Sequence, residues 1–471
     1  MYKRQVKIVQ DNGSIYSSPA VYRLSSARRG ADTAVVFGVV ERDSSGAMNE
    51  TEVNRGTVVA VDATYGPYRQ LHPRAGFYPT NDMNQPLWRY PRSPDDRTSL
   101  LEGPIAGGVF SSPLVTTVAG KQTVFIGADD RQIYALDAVN GDLLWSGPGK
   151  TLDDASVGVG IGGFTPANAG GSDFFGRDFR IGETGGEGRS VEYTFDGLDS
   201  YYYSVYAWVP PQPAGYRWAY DAKYQITAAA GNAGGGATDY TVYGDQSNCG
   251  DGQIGPRWIK LSGSYLPSGG EIVVTVTNEQ GGKADPCASA SGRLAVAADA
   301  IRVIPDSIGE FGYCAPAIVG NRIISANSTG RIIAMDVSSH ATEWIYPAVK
   351  TRQSEADAVA LGGMKITVAI NGEDLYYGSQ SGYVGRLTNI VTGSNPTVSW
   401  TQIQKGGTVI SDSEMGPITS SPLVNGCLLY TSPSPRDRTR SRMPSSACKK
   451  KNNNKKHKNT QFTARSLYLF D

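Results

Sequence analysis

Apolar and polar residues alternate along most of this chain in short runs, and the runs return in the same order. In the copy from Ser111 to Trp145, SSPLV opens, TVFIGA follows, QIYALD alternates up to Asp137, and a fourth run ends on Trp145. Related second runs are VVFGVV (35–40), RIISAN (322–327) and DLYYGS (374–379), and related third runs are TVVAVD up to Asp62 and RIIAMD up to Asp336. Trp88, Trp145, Trp344 and Trp400 mark the fourth run of each copy, and a fifth copy starts at Ser420. Period-two alternation bounded by Gly, Asn and Asp predicts half-buried antiparallel strands. Four strands per unit, in units too small to bury an apolar face alone, predict sheets stacked radially as a β-propeller.

Local chemistry supports the same elements. Pro19 and Pro113 open strands, where no ladder donor is needed. Asp137 followed by Asn140-Gly141 predicts a tight turn, because Asp bonds backbone two residues on and Asn-Gly accepts positive φ. Asp62, Asp137 and Asp336 recur at one place per repeat, so they read as turn builders rather than catalytic carboxylates. The four tryptophans read as apolar volume at the joints between sheets.

The rhythm stops after Trp145 and resumes near Gly312. The Gly-rich passage within 151–170 predicts a linker. It lacks the GK[ST] ending of a phosphate loop. Strand-like runs then follow, among them YYSVYAWVP (202–210), AKYQITA (222–228), EIVVTVTN (271–278) and VAADAIRVIP (296–305). They predict a β-sandwich at 171–306 inserted into the propeller, whose own segments are 6–150 and 307–426. Aromatic residues crowd the sandwich. Tyr203, Val205 and Ala207 belong to one face of a strand, with Tyr202, Tyr206 and Trp208 on the other. Tyr216 and Trp218 follow a Pro-rich turn. With Tyr202 they are the candidate glycan-binding residues, since aromatic rings stack on apolar sugar faces. Cys249 and Cys287 are the candidate disulfide, Cys314 is expected buried and inert, and His72 and His340 have no partner pattern. No cysteine or histidine spacing suits zinc, so no metal site is assigned.

Both ends carry unusual sequence. YKRQ (2–5), CLLYTSPSPRD (427–437) and RMPSSA (442–447) resemble translated sequencing adapter, so 1–5 and 427–471 are read as artefact, the latter disordered. The whole chain balances 44 Lys+Arg against 44 Asp+Glu. Without Lys3, Arg4 and the eleven basic and two acidic residues from 427 onward, residues 6–426 hold 31 basic against 42 acidic. An acidic, Lys-poor surface is unsuited to nucleic acid. No stretch is long and apolar enough to span a bilayer. The wealth of Gly, Ser, Thr, Tyr and Asn suits an extracellular, periplasmic or cell-surface protein.

The spacing Ala135, Asp137, Gly141, Trp145 resembles the PQQ-like, quinoprotein alcohol dehydrogenase-type propeller repeat. Ala334, Asp336 and Trp344 match with His340 in the Gly position; Ala60, Asp62 and Gly66 match with the Trp displaced to Trp88; Asn389 stands for Asp before Trp400. The inserted segment resembles the golvesin C-terminal, carbohydrate-binding-like module through Tyr203–Pro210, Ala222-Lys223-Tyr224, Asp245-Gln246, Trp258 and Ala298–Arg302. Together these imply an all-β fold: a partial, open or truncated PQQ-like propeller of four-stranded blades with an inserted β-sandwich. The implied function is a non-catalytic extracytoplasmic scaffold presenting a sugar-binding module to a glycan or cell-surface polymer. Two alternatives are a quinoprotein dehydrogenase fragment using PQQ and calcium, and an envelope-assembly propeller that binds proteins only, like the related outer-membrane lipoproteins. The first reading needs no cofactor. No adjacent cysteine pair and no Asp/Glu/Asn constellation matches the quinone centre.

Overall fold

The computed structural model describes residues 13–28, 31–41, 55–63, 86–92, 99, 101–168, 173–186, 188–229, 239–247, 256–286, 291–306, 308–348, 361–392, 395–400, 404–405, 408–409, 417–418, 420–425 and 428–431. Among these residues every regular element is a strand. The first blade holds β1 (Gly13–Ser14), β2 (Ala20–Arg28), β3 (Ala31–Glu41), β4 (Arg55–Asp62), β5 (Trp88–Tyr90) and β6 (Ile105–Ala106). Its body runs β2-β3-β4-β5, with β1 on β3 and β6 on β4. The second blade is β7 (Leu114–Val118), β8 (Lys121–Gly127), β9 (Ile133–Asp137) and β10 (Leu143–Gly147), a simple antiparallel meander.

The inserted module comprises β11 (Lys150–Asp153), β12 (Val159–Gly162), β13 (Thr165–Ala167), β14 (Phe179–Glu183), β15 (Ser190–Phe195), β16 (Tyr203–Val209), β17 (Tyr216–Trp218), β18 (Ala222–Thr227), β19 (Asp239–Gly244), β20 (Arg257–Tyr265), β21 (Ile272–Gln280), β22 (Arg293–Ala298) and β23 (Ala300–Pro305). Blade three is β24 (Ala317–Val319), β25 (Arg322–Ala326), β26 (Ile332–Asp336) and β27 (Thr342–Tyr346). Blade four is β28 (Ala369–Asn371), β29 (Asp374–Gly378), β30 (Val384–Thr388) and β31 (Thr397–Trp400). Two hairpins follow, β32 (Gln404–Lys405) with β33 (Thr408–Val409), and β34 (Pro422–Asn425) with β35 (Leu428–Thr431). The last strand lies inside the stretch expected to be a disordered artefact, and there the chain is extended and paired.

The protein is an all-β, propeller-like array, and its repeat motif has a geometric cause. Trp88 pairs across the sheet with Ala60, Trp145 with Ala135 and Trp344 with Ala334. A small residue opposite each indole leaves room for the ring. In blade four Arg386 faces Trp400 instead. Two of these tryptophans also meet the Asp turn of the next blade, Trp88 that of Asp137 and Trp145 that of Asp336. Trp88 Nε1 donates to the Ala138 carbonyl at 3.0 Å. Gly141, at φ +77°, lies under this indole, and a Cβ there would come within 2.7 Å of the ring. In blade two the preceding blade's tryptophan therefore leaves no room for a side chain at the motif's glycine. In blade three His340 takes that position at φ +61° and stacks on Trp145, with centroids 4.9 Å apart.

Apolar faces close each joint in sequence order. Val36, Val58 and Trp88 of blade one pack with Ile126, Tyr134 and Leu136 of blade two. Phe125, Ile133 and Trp145 meet Ile323, Ile333 and Met335 of blade three. Ile324, Ala334 and Trp344 meet Leu375, Tyr377 and Leu387 of blade four. Blades two and three thus touch directly, although the whole module separates them in sequence.

The module keeps its own three sheets, ordered β11-β23-β16-β20, β12-β15-β21-β18-β19 and β13-β14-β22-β17. None shares a strand with a blade. Its main core gathers Val191, Tyr193, Val205, Tyr224, Ile226 and Val274 between the layers. The stretch expected to be a linker is structured: β11, β12 and β13 supply the edge strand of each sheet in turn. Val159 and Ile161 alternate with Gly160 and Gly162, and an edge strand needs partners on one side only.

Candidate functional site

Four residues before β2, β7 and β24, three successive repeats place an aromatic ring. Tyr16 precedes Ser17-Ser18-Pro19, Phe110 precedes Ser111-Ser112-Pro113, and Tyr313 precedes Cys314-Ala315-Pro316. The first serine anchors this position. Ser17 Oγ accepts from Gly38 N at 2.7 Å and donates to the Gly38 carbonyl at 3.2 Å, while Ser111 Oγ donates to the Cys314 carbonyl of blade three at 3.1 Å. The rings form a row across three blades: Tyr16 to Phe110 at 5.2 Å, Phe110 to Tyr313 at 4.9 Å and nearly parallel. Lys365, at the same position of blade four, holds its Nζ 4.7 Å from the Tyr313 ring centre. Tyr16 and Tyr313 are 53% and 44% exposed, and Ile15 beside them 46%.

An acidic floor lies beside this row. Asp129, in the β8–β9 turn, donates its backbone N–H to the Gly108 carbonyl at 3.0 Å. Its carboxylate presses against Gly312, where a Cβ would come within 1.9 Å of Oδ1. Burial, then the charge of Glu310, pushes the Asp129 carboxyl up to about 7, with Lys365 opposing. Glu310 is held by Ser328, whose N–H donates to the Glu310 carbonyl at 2.9 Å and whose hydroxyl bonds the carboxylate.

The residues expected to bind sugar lie elsewhere and are mostly occupied. Trp218 is 1% exposed: it packs on Phe179 and donates Nε1 to the Pro210 carbonyl at 3.0 Å, so it is core. The Pro-rich turn folds back over it instead of lifting it outward. The face of Tyr216 is covered by the Arg293 guanidinium at 4.4 Å. Tyr202 is 36% exposed. Asp137 and Asp336 sit in their turns, each accepting from the N–H two residues on at 2.8 Å. Asp62 ends β4. Trp88, Trp145 and Trp344 are buried at blade joints, and the backbone of Trp400 ends β31. Cys314 is buried and unpaired, its thiol pushed up by burial to about 12. Cys249, Cys287, His72 and Gly66 lie outside the described residues, as do residues 1–5 and 432–471.

The other face of β16 is not open to solvent. Tyr206 belongs to the cluster between blades two and three. Trp208 forms a cage with Phe175 and Trp258, with centroids 5.3–5.6 Å apart, beside Ala106 of blade one. Arg302 of β23 lies 4.3 Å from the Trp258 ring centre and bonds Asp130 of blade two at 3.2 Å; both side chains are buried. Tyr134 donates to the same carboxylate at 2.5 Å. Asp129 and Asp130 thus divide one turn between the ring row and the module. Among the described residues one group of three carboxylates comes close enough to share an ion, Asp153, Asp154 and Asp299, and it lies in the module.

Sequence reading missed the ring row. The available signal was a positional one: aligning the copies on their Pro puts an aromatic three residues earlier in three of them. No family model and no curated protein matches the chain. Solved structures similar to parts of it include BamB from Moraxella catarrhalis, at 9% identity and TM-score 0.21, covering 82% of this chain and 80% of that one. A Paenibacillus xanthan lyase is 15% identical at TM-score 0.24, covering 62% of this chain and 25% of the lyase. An exo-β-1,3-galactanase from Phanerochaete chrysosporium is 11% identical at TM-score 0.23, covering 60% and 56%. Among the described residues no helix is long and apolar enough to cross a membrane.

Proposed function

We propose that this protein is a non-catalytic, extracytoplasmic binding scaffold whose propeller mouth takes up a polypeptide segment carrying apolar side chains. The row Tyr16, Phe110, Tyr313 is the observation that carries this reading. Phe110 and Tyr313 are stacked at 11°, and Lys365 caps the far side of Tyr313. The faces of Phe110 and Tyr313 are therefore engaged, while Tyr313 stays 44% exposed and Phe110 half-buried. Sugar stacking needs an open face, whereas apolar side chains pack against ring edges. The same stacking leaves no slot for a flat quinone between the rings, which would need about 7 Å, two van der Waals separations of ~3.5 Å. Asp129 and Glu310 add acceptors beside the row. The module forms a fixed neighbour to this mouth through Arg302 and Asp130.

The test is a peptide-display selection on the full chain, run beside a glycan array. Selected peptides should bind at least about tenfold more weakly to the Tyr16→Ser, Tyr313→Ser double variant, corresponding to ~1.4 kcal/mol. Both positions are exposed, so the variant should keep its fold. Array signals that survive the double substitution, together with no peptide enrichment, would move the function to sugar binding by the module.

A further inference from the structure

The module contains a second concentration of unusual chemistry, far in role from the ring row. Asp153 and Asp154 sit at the end of β11, and Asp299 sits at the corner between β22 and β23. Each offers a carboxylate oxygen within 4.8 Å of the other two. All three residues are 1% exposed. Some of their oxygens have donors. Asp153 Oδ2 accepts from Ala155 N at 3.2 Å, both Asp299 oxygens accept from Phe175 N at 3.2 Å, and Asp154 Oδ2 accepts from Arg180 Nε. Oδ1 of Asp153 and Oδ1 of Asp154 are buried with no hydrogen-bond donor. A buried carboxylate oxygen left without a partner is costly, and such groups are normally paired or bound to an ion.

We propose that Asp153, Asp154 and Asp299 bind a calcium ion that ties the module's entry strand to its β22–β23 corner. The donors are all oxygen and include neither Cys nor His, which selects hard cations. Three carboxylates face one guanidinium, Arg180, so the group lacks two positive charges when fully ionised. Asp178 adds a further negative field. Calcium tolerates irregular oxygen sets of six to eight ligands, while magnesium demands a near-ideal octahedron and keeps its waters. The complete burial of these carboxylates makes the ion structural. It joins segments 150–154 and 299–300, which the pairing of Asp153 with Ala300 already brings side by side.

The experiment uses the full chain, stripped with a chelator and then titrated separately with calcium, magnesium and terbium. We expect one calcium ion per chain with a dissociation constant on the order of 10⁻⁵–10⁻³ M, in the range of extracellular modules and sensors. Its addition should raise the thermal midpoint by several degrees, with magnesium much weaker. Terbium should light up through Tyr193, whose hydroxyl donates to the Asp299 carbonyl at 2.8 Å. Tyr193→Phe should dim that emission while leaving calcium binding in place. Asp153→Asn should reduce calcium affinity at least tenfold. Should that variant not fold, the wild-type titrations and Tyr193→Phe still decide. No calorimetric binding at millimolar calcium, with the same midpoint in chelator, overturns the proposal and leaves Asp153 and Asp154 sharing a proton. Calcium binding that Asp153→Asn leaves unchanged places the ion elsewhere and also overturns it.

Discussion

The joints between blades and the seat of the inserted module solve the same problem, burying one sheet against another, by different chemistry. The blade joints share one device, a tryptophan opposite a small alanine, which in the first two joints rests on the neighbour's Asp turn. The module seat uses a unique set, with Tyr206 and the Trp208–Trp258–Phe175 cage around a buried Arg302–Asp130 pair. A repeated apolar joint carries little identity, because successive blades offer similar surfaces. A buried ion pair is energetically close to neutral against an apolar replacement, yet losing one partner is severe. The seat thus gives the module one orientation where the joints alone would accept any blade-like face.

The contrast can be attacked at both sites. Trp344→Ala should cost about 3–5 kcal/mol, since this indole is fully buried and its removal leaves a cavity. Urea unfolding should show one transition moved as a whole, because the loss lies in a joint shared by blades three and four. Arg302→Ala should cost about 3 kcal/mol, at the lower end for a broken buried pair, because Tyr134 still donates to Asp130. Here the contribution of Trp208 and Trp258 to the tryptophan fluorescence should change ahead of the main transition. Arg302→Met with Asp130→Leu should recover most of the loss. Identical single transitions in both variants would erase the distinction between joint and seat.

Asp129, one residue from the seat, provides a finer probe. Its carboxyl titrates near 7 in the folded protein against an ordinary 3.8, so the native state holds the proton more tightly. Stability from this group is greatest below about pH 4 and falls as pH rises through 7. Asp129→Asn should flatten that slope and gain roughly 2–4 kcal/mol at pH 8 while changing little at pH 4. Thermal midpoints across pH 4–8 measure it; parallel curves for the two proteins would refute the assignment. The smallest effect belongs to His340→Gly. It loses a ring stack on Trp145 of about 0.5–1.5 kcal/mol and relieves a left-handed φ of about 1 kcal/mol. The net change should stay within about 1 kcal/mol, and a loss above 2 would show that the histidine does more than fill the glycine position.

The blades were legible because their signal is periodic. Ala135, Asp137, Gly141 and Trp145 each touch a partner that the next copy repeats, so pattern and contact coincide. The module seat was not legible, because Tyr206, Trp208 and Arg302 occur once. Alternation assigned Tyr206 and Trp208 to the face opposite Tyr203 correctly, but nothing in the chain said that this face meets a blade. Residues 151–170 read as a linker because Gly160 and Gly162 mask the alternation of β12, and the partner of β11 is the module's last strand, β23. Trp218 read as a sugar-binding ring because it follows a Pro-rich turn; here the Pro210 carbonyl folds back to accept its indole N–H. The ring row needed comparison between copies at a position outside the recognised motif.

The direct contact between blades two and three sets a schedule for synthesis. Blade two is complete once Gly147 leaves the ribosome, but β24 does not begin until Ala317. At ~5–20 residues per second that interval is on the order of ten to thirty seconds. During it, Phe125, Ile133 and Trp145 have no blade to meet. Tyr206 and Ile304 of the module belong to the same cluster and emerge first. The nascent protein therefore carries a cover for its own unfinished edge, delivered by the very insertion that delays the final partner.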